Sequence, residues 1–265
     1  MCTSFVKYAD KTYIGMNFDI SDRPIQFKLA YKQALLISQD DGTGFKASFG
    51  VNRAGAFMNL QLVDPTPSAV YKRSSSNIHI FKIFEAVLDN KVTPATLMDM
   101  IGDKRLVNVP NLSLHSLITG PGRDACIIEP GRTRQPITRG EKDHLLLTNF
   151  PLADENGDLT GVIQGDGADR YAACAARLTG AEFSVDQGFA ALAASAQTGG
   201  DWPTQVSILA VPEDEQVFLS LRHDFSKRLV FSFADRTIYT NFGYAQPKST
   251  TLPANGVLLS DLLAW

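Results

Sequence analysis

The first third of the chain alternates hydrophobic and polar residues with a period of two, which predicts β-strands. Residues 2–8 and 12–18 flank a short turn and are expected to pair as an antiparallel hairpin. A proline-containing turn at 64–67 ends this block, and the same period returns in two later blocks. The predicted strands are 2–8, 12–18, 26–31, 34–38, 46–51, 55–62, 113–119, 124–129, 144–150, 205–211, 216–221, 228–233 and 237–240.

Two stretches between the strand blocks have a helical period instead. In the segment 76–88 apolar side chains recur every three or four residues, and Thr93, followed by a proline, is typical of a helix start, with Gly102 at the end. Alanine-rich helices are predicted at about 168–178 and 185–197. This order of strand blocks and helix pairs predicts helices packed on two stacked antiparallel sheets.

The composition narrows the class of protein. With 44% hydrophobic residues, the chain can bury a sizeable core, and we expect a single domain over residues 1–265. A net charge of −3, with no run of Lys or Arg, argues against nucleic acid and anionic membranes as partners. No apolar stretch approaches the roughly 20 residues of a membrane span, and the N-terminus does not resemble a signal peptide. The three cysteines are widely separated and have no CxxC spacing, which disfavours disulfides and structural zinc, so a reducing, cytoplasmic location is expected.

Cys2 stands where it could act as a nucleophile that carries its own base. Removal of Met1 would leave Cys2 with a free α-amine, whose pKa of roughly 7.7–8.0 keeps part of it neutral at cytoplasmic pH. This amine can accept the thiol proton and later donate it to the leaving nitrogen of an amide. Asp19 ends the return strand of the first hairpin, where antiparallel pairing brings its carboxylate toward Cys2 to orient the amine. A second-position cysteine and a strand-ending aspartate also occur without a catalytic role, so the two residues alone leave that alternative open.

Short motifs in a fixed order resemble the choloylglycine hydrolase family of N-terminal nucleophile hydrolases. This family includes conjugated bile acid hydrolases and penicillin V acylases, and it is related to acid ceramidase and isopenicillin N acyltransferase. The opening Met-Cys-Thr-Ser-Phe, followed by Gly-x-Asn-x-Asp, resembles the start of these enzymes. The other similar segments are Met58-Asn59-Leu60, Leu114–Ile118 with Ile127–Glu129, Leu147–Pro151 and Thr204–Ser207. The resemblance extends over most of residues 1–235.

The resemblance implies an α+β fold, a four-layer αββα sandwich with helices on both sides of two stacked antiparallel sheets. It implies that Cys2 attacks a linear amide of a small-molecule N-acyl substrate and forms an acyl thioester that water hydrolyses. The side chains of Asn59 and Asn149 are the implied oxyanion donors, because neutral N–H groups suit a developing negative charge. Two alternatives stay open, namely an acyltransferase that passes the acyl group to an amine and a non-catalytic binding protein.

One position departs from the family pattern. Bile acid hydrolases have an arginine before the asparagine of their first motif, and in this chain that residue is Met16. A missing cation removes one influence that lowers the pKa of the thiol. Arg170, which follows the Asn149 segment, resembles an arginine of the ceramidase-like branch and is the first candidate to replace it. Arg222 is the second.

Other kinds of chemistry have little support in the sequence. The four histidines lack the HxxxH or HxH spacing of metal sites, and His115 is predicted to lie in the core. Cys126, inside an apolar strand, and Cys174, inside an alanine-rich helix, are expected to be buried and inert. The glycine-rich segment 161–167 lacks a nucleotide-binding pattern. We therefore expect neither a cofactor nor a metal, and the sequence leaves homo-oligomerisation open.

Overall fold

The computed structural model describes residues 2–31, 33–139, 142–154 and 156–265. Its strands are β1 (Cys2–Tyr8), β2 (Thr12–Asp19), β3 (Ile25–Ala30), β4 (Ala34–Asp40), β5 (Phe45–Asn52), β6 (Phe57–Asn59), β7 (Gln61–Leu62), β8 (Asn77–His79), β9 (Arg105–Val107), β10 (Leu114–Thr119), β11 (Ala125–Ile128), β12 (Ile137–Thr138), β13 (His144–Leu147), β14 (Thr204–Val211), β15 (Gln216–Leu221), β16 (Arg228–Ser232), β17 (Thr237–Phe242), β18 (Ser249–Thr251) and β19 (Val257–Leu258). Its helices are α1 (Ile80–Leu88), α2 (Leu97–Ile101), α3 (Ala168–Ala175), α4 (Val185–Ala194) and α5 (Leu259–Leu263). None of the helices in these ranges has the length and apolarity needed to cross a membrane.

Most strands belong to two antiparallel sheets. The first sheet has the order β13-β1-β2-β14-β15-β16-β17-β18. The second has the order β12-β11-β10-β6-β5-β4-β3-β19, and β7 also pairs with β10. In the first hairpin Cys2 pairs with Phe18, so Asp19 lies next to the residue opposite Cys2. The hairpin and its register agree with the alternation of apolar residues along the sequence.

The two sheets stack face to face and carry helices on their outer sides. Apolar side chains of both sheets, among them Phe18 and Phe49, form the core between them. A second apolar cluster joins α1 and α2 to the outer face of the second sheet. A third cluster, which includes Phe5 and Phe189, joins α3 and α4 to the outer face of the first sheet. The predicted four-layer αββα sandwich is therefore confirmed.

Several element boundaries differ from the sequence-based expectation. The helical pattern of 76–88 becomes a helix only from Ile80, because residues 77–79 pair in parallel with β9. The helix expected after Thr93 begins with a 3₁₀ turn, in which the Thr93 side chain accepts a hydrogen bond from Thr96 N. The strand predicted at 55–62 is divided into β6 and β7. The alternation of apolar residues could not show this division, because it depends on which strand pairs with each part.

The first hairpin contains a glycine and an asparagine that serve packing. A Cβ on Gly15 would lie 2.3 Å from Phe5 Cε1, so only glycine leaves room for that ring. Asn17 Nδ2 donates to the carbonyl oxygen of Leu192 at the end of α4, at 2.8 Å. Ser207 Oγ donates to Asn17 Oδ1 at 2.7 Å. These contacts attach β2 to its neighbours and leave Asp19 at the end of the strand, beside Cys2.

Candidate active site

Cys2 begins β1, and only 5% of its surface is exposed. Its side chain is part of the apolar core between the two sheets. Burial raises the pKa of the Cys2 thiol, so the sulfur is protonated at neutral pH in this arrangement and needs a base to react. The main-chain nitrogen of Cys2, which becomes the α-amine if Met1 is removed, donates to Asn149 Oδ1 at 2.7 Å. Met1 itself lies outside the described residues.

The guanidinium of Arg170, near the start of α3, contacts three of the other predicted site residues. Its Nη1 donates to the carbonyl oxygen of Cys2 at 2.8 Å and lies 3.5 Å from Asp19 Oδ2. Its Nη2 donates to Asn149 Oδ1 at 3.0 Å. Gly167 provides the space, since a Cβ there would lie 2.6 Å from Nη2. The side chain is buried, so these interactions are screened far less than they would be at the surface.

Asp19 is fully buried and is held by hydroxyl and amide donors. Thr204 Oγ1 donates to Oδ1 at 2.6 Å, and Gln197 Nε2 donates to Oδ2 at 3.2 Å. Burial raises the pKa of the Asp19 carboxyl to about 6, although the Thr204 hydrogen bond and the Arg170 charge act in the opposite direction. Because this pKa lies below 7, the group is mainly ionised at neutral pH.

Asn149 follows β13 and directs its side-chain oxygen toward Cys2. Oδ1 accepts hydrogen bonds from Cys2 N and from Arg170, while Nδ2 donates to the carbonyl oxygen of Leu62 at 2.6 Å. These partners determine the amide orientation, because a flipped amide would place two carbonyl oxygens against each other. One amide hydrogen is therefore engaged by Leu62, and one is left for the predicted role of oxyanion donor.

Asn59 lies in β6 of the second sheet, and its side chain is fully buried between the two sheets. Its Nδ2 donates to Gln61 Oε1 at 2.8 Å and to Ser4 Oγ at 2.9 Å. Its Oδ1 accepts a hydrogen bond from Leu117 N at 2.8 Å. Both amide hydrogens thus have acceptors within the protein. In this arrangement no amide hydrogen of Asn59 is free for the predicted role of oxyanion donor. The side chain instead connects the two sheets.

Three side chains that contact the site were not predicted. Gln61 Nε2 donates to the carbonyl oxygen of Cys2 at 2.9 Å, while Thr204 and Gln197 bind Asp19. Gln61 had a signal in the sequence, since it is a polar residue on the same face of an apolar segment as the asparagine two positions earlier. Thr204 begins one of the segments that carry the family resemblance. Gln197 follows α4, and we find no sequence signal that distinguishes it.

The main chain of Leu62 also faces the site. The next residue, Val63, donates its N–H to the carbonyl oxygen of Ser113 at 3.1 Å. Residues along an antiparallel ladder alternate between hydrogen-bonded and non-hydrogen-bonded pairs, so Leu62 directs its N–H and C=O away from β10. Its carbonyl oxygen accepts the hydrogen bond from Asn149. The N–H of Leu62 therefore points to the side of the strand on which Asn149 lies.

The remaining candidates lie in surroundings of other kinds. Met16 is fully buried in the apolar core between the sheets, so no cation occupies this position. Arg222 forms an exposed ion pair with Asp22 at 2.8 Å. Burial raises the pKa of Cys126 to about 12 and that of Cys174 to about 12, so both thiols stay protonated, as inert core residues would. The described residues contain no group of three or more potential ligands arranged to hold a metal.

A buried pair supports the chain segment that follows Asn149. His115 Nδ1 lies 3.0 Å from Glu129 Oε1. The two carboxylate oxygens of Glu129 accept hydrogen bonds from Leu152 N at 3.0 Å and Ala153 N at 2.9 Å. Burial opposes ionisation of Glu129, but the hydrogen bonds from His115 and the two amides outweigh it and lower the pKa. The pair therefore holds a charged clamp on the segment that carries Asn149.

The whole chain resembles solved structures of two enzymes. A mutant of conjugated bile acid hydrolase from Clostridium perfringens superposes with a TM-score of 0.63 at 15% identity, over 96% of this chain and 98% of that one. Penicillin V acylase from Agrobacterium tumefaciens superposes with a TM-score of 0.61 at 16% identity, over 97% of this chain and 93% of that one. No protein-family model and no curated protein sequence matches the chain. The chain therefore has the fold of these enzymes, as its resemblance to the N-terminal nucleophile hydrolases predicted.

Proposed function

We propose that this protein is an amidohydrolase that cleaves the linear C–N bond of small N-acyl compounds, with Cys2 as an N-terminal nucleophile. The observation that supports this most strongly is the convergence of Arg170 and Asn149 on the main chain of Cys2, with Asp19 paired to Arg170. Buried charges are costly, and a cysteine that only filled the core would have no need of them. The two enzymes with the same fold, a conjugated bile acid hydrolase and a penicillin V acylase, support an acylated small molecule as the substrate.

The proposed reaction begins once Met1 is removed and the nitrogen of Cys2 is a free α-amine. The neutral amine takes the proton of the thiol while Sγ attacks the acyl carbonyl carbon. The carbonyl oxygen becomes an oxyanion, for which the free amide hydrogen of Asn149 and the N–H of Leu62 are the proposed donors. Loss of one such donor typically costs about 100- to 1000-fold in rate.

The tetrahedral intermediate then collapses. The ammonium group of Cys2 donates its proton to the leaving nitrogen, the C–N bond breaks, and the amine product departs from an acyl thioester. The same amine next takes a proton from water, which attacks the thioester. The C–S bond breaks, the carboxylic acid is released and the thiol recovers its proton. In this scheme Arg170 and Asp19 keep the first residue in one orientation throughout the cycle.

The test combines mass spectrometry with turnover. The intact mass of protein purified from its native host is expected to lack Met1. Incubation with glycine- and taurine-conjugated bile acids, penicillin V and N-acyl amino acids is expected to release amine from at least one of them. The matched Cys2→Ala variant should keep the same circular dichroism spectrum and release none. Turnover by protein that retains Met1, or equal turnover by Cys2→Ala, would contradict the proposal.

The same assay distinguishes the alternatives. Addition of free amines to the reaction reveals an acyltransferase if N-acyl products accumulate faster than the free acid. If neither protein releases amine from any substrate while both bind the acylated compounds equally, the chain is a binding protein and the hydrolase proposal fails.

A further inference from the structure

A cavity of about 440 Å³ lies on the helical side of the second sheet, between the end of α2, β9 and the segment 131–136 that joins β11 to β12. None of the predicted catalytic residues lines it. Its volume lies within the range of about 300–1,000 Å³ that is usual for small-molecule sites. Its apolar wall consists of Met98, Ile101, Leu106, Ile128 and Pro136.

The rim of this cavity is strongly cationic. It carries Lys104, Arg105, Arg132 and Arg134 but a single acidic residue, Asp103. Within the described ranges none of the four cations forms an ion pair, although the chain as a whole has more acidic than basic residues and a net charge of −3. Elsewhere in the described chain many arginines and lysines pair with carboxylates, as Lys11 does with Asp214 at 2.7 Å. A local cluster of unpaired positive charge therefore surrounds an apolar pocket.

Two of the arginines are already held in position. Arg132 Nη2 donates to the carbonyl oxygen of Asp64 at 3.2 Å, and Arg105 Nη2 donates to the carbonyl oxygen of Ser68. Both acceptors are neutral, so the guanidinium charges are not compensated. Arg132 Nε is buried and has no hydrogen-bond partner in the described structure. Such an enclosed donor is unfavourable unless an acceptor occupies the cavity.

The wall that carries Arg132 is closely packed. Gly131 has a φ of +77°, and a Cβ at this position would lie 2.5 Å from Ala69 N. Only glycine fits both constraints, so the segment is seated directly on the loop after β7. The position of Arg132 at the cavity therefore follows from main-chain packing and not from the free rotation of a surface side chain.

We propose that this cavity binds an amphiphilic carboxylate, such as a medium-chain fatty acid, at a site separate from Cys2. The carboxylate lies against Arg105 and Arg132, whose planar guanidinium groups suit two-point contact with it. The hydrocarbon chain covers the apolar wall. Lys104 and Arg134 add attraction at the mouth, which salt weakens. The inference needs no chemistry at Cys2 and stands whether or not the protein is a hydrolase.

Isothermal titration of the full chain carrying Cys2→Ala with sodium decanoate tests this site. We expect one decanoate per chain, with binding at least about tenfold weaker for acetate and for inorganic phosphate, which lack the hydrocarbon chain. The double variant Arg105→Gln/Arg132→Gln should weaken decanoate binding at least tenfold. The control Arg177→Gln removes an exposed cation just after α3 and should leave decanoate binding unchanged.

A second double variant tests the site even if Arg105→Gln/Arg132→Gln does not fold. Lys104→Gln/Arg134→Gln changes two exposed side chains and should weaken binding several-fold while reducing its dependence on salt. Unchanged binding in both double variants would overturn the proposal, as would phosphate binding as tight as that of decanoate. Turnover is measured separately, on protein that keeps Cys2 and carries the rim substitutions. It reports on Cys2 chemistry alone, because none of the substituted residues touches the proposed catalytic residues.

Discussion

Among single residues, Asp19 is the group whose environment has the clearest consequences. Its carboxylate is fully buried, and its pKa is raised to about 6 by that burial. Thr204, Gln197 and Arg170 are among the polar partners that keep it ionised at pH 7. The site therefore depends on an ionised carboxylate whose pKa lies only about one unit below neutral pH. This pKa leads to two predictions.

The first prediction concerns the pH dependence of turnover. Below the pKa of the α-amine, log(kcat/KM) should fall with a slope of one, because the base becomes protonated. Below about pH 6 the slope should become two, because protonated Asp19 no longer balances Arg170. Thr204→Val removes a hydrogen bond that lowers this pKa, so the break should move to higher pH. A slope that stays at one well below pH 6 would show that ionised Asp19 is not needed.

The second prediction concerns stability. A carboxyl whose pKa is raised on folding binds its proton more tightly in the folded state, so it stabilises the fold at low pH, and this contribution is lost as pH rises through about 6. The rise from 3.8 to about 6 corresponds to about 3 kcal/mol at pH 7. Asp19→Asn should therefore raise the free energy of unfolding at pH 7 by up to about that amount while abolishing turnover. Urea unfolding at pH 7 and at pH 4 is the measurement. The gain should vanish at the lower pH, and a loss of stability at pH 7 would refute the argument.

Among the secondary-structure elements, the connection after β13 bears most directly on the site. This connection carries Asn149, and its main-chain amides at Leu152 and Ala153 donate to the buried Glu129 carboxylate. Ala153 also pairs with Leu159 in an isolated β-bridge, but both residues belong to this connection, so that bridge does not attach it to either sheet. The clamp, whose carboxylate belongs to Glu129 directly after β11, therefore holds in place the connection that carries Asn149.

The third prediction tests this clamp. Glu129→Gln replaces a charged acceptor by a neutral amide, so the free energy of unfolding should fall by about 1.5–3 kcal/mol, the usual strength of hydrogen bonds to charged groups. We also expect kcat to fall with little change in KM, because Asn149 is displaced. Glu213→Gln is the control, since Glu213 accepts from Thr12 N at the opposite end of the first hairpin. It should lower stability slightly and leave kcat unchanged. An equal kcat in the two variants would exclude a positioning role.

At the scale of the whole molecule, the site depends on how the two sheets face each other. Cys2 and Ser4 belong to the first sheet, while Asn59 and Gln61 belong to the second-sheet side of the core. Hydrogen bonds from Gln61 to Cys2 and from Asn59 to Ser4 cross the space between the sheets. The stacking of the sheets thus sets the position of the nucleophile.

The fourth prediction distinguishes two roles for Asn59. If the Asn59 side chain connects the sheets, Asn59→Ala leaves Leu117 N buried without its acceptor, which should cost about 1–3 kcal/mol of stability and change kcat only several-fold. If the side chain is an oxyanion donor, the same substitution should lower kcat by about 100- to 1000-fold. We expect the first result, measured by thermal unfolding and by kcat well below the melting temperature. Asn52→Ala is the control, because Asn52 is a buried asparagine that binds Leu88 O on the helical side of the sheet.

Much of the fold could be predicted because the signals are local. Side-chain period and turn residues gave most strands of both sheets and the helices of both outer layers, with errors mainly at their ends. The parallel pairing of residues 77–79 with β9 was missed, since a pattern that suits a helix does not exclude a short strand with a distant partner. The strands β12, β18 and β19 and the helix α5 were also missed, because each is only two to five residues long.

The sequence by itself determined the order of the strand blocks and helix pairs, the first hairpin and the approach of Asp19 to Cys2, because a hairpin with a short turn has one register that buries its apolar face. Only the tertiary structure decided that Arg170, 168 residues from Cys2, reaches its carbonyl oxygen, and that Gln61 shares this contact. It also decided that the side-chain amide of Asn59 donates to Ser4 and Gln61. The physical reason is that a buried polar side chain bonds to whatever the opposite layer presents, and that layer is built from distant parts of the chain.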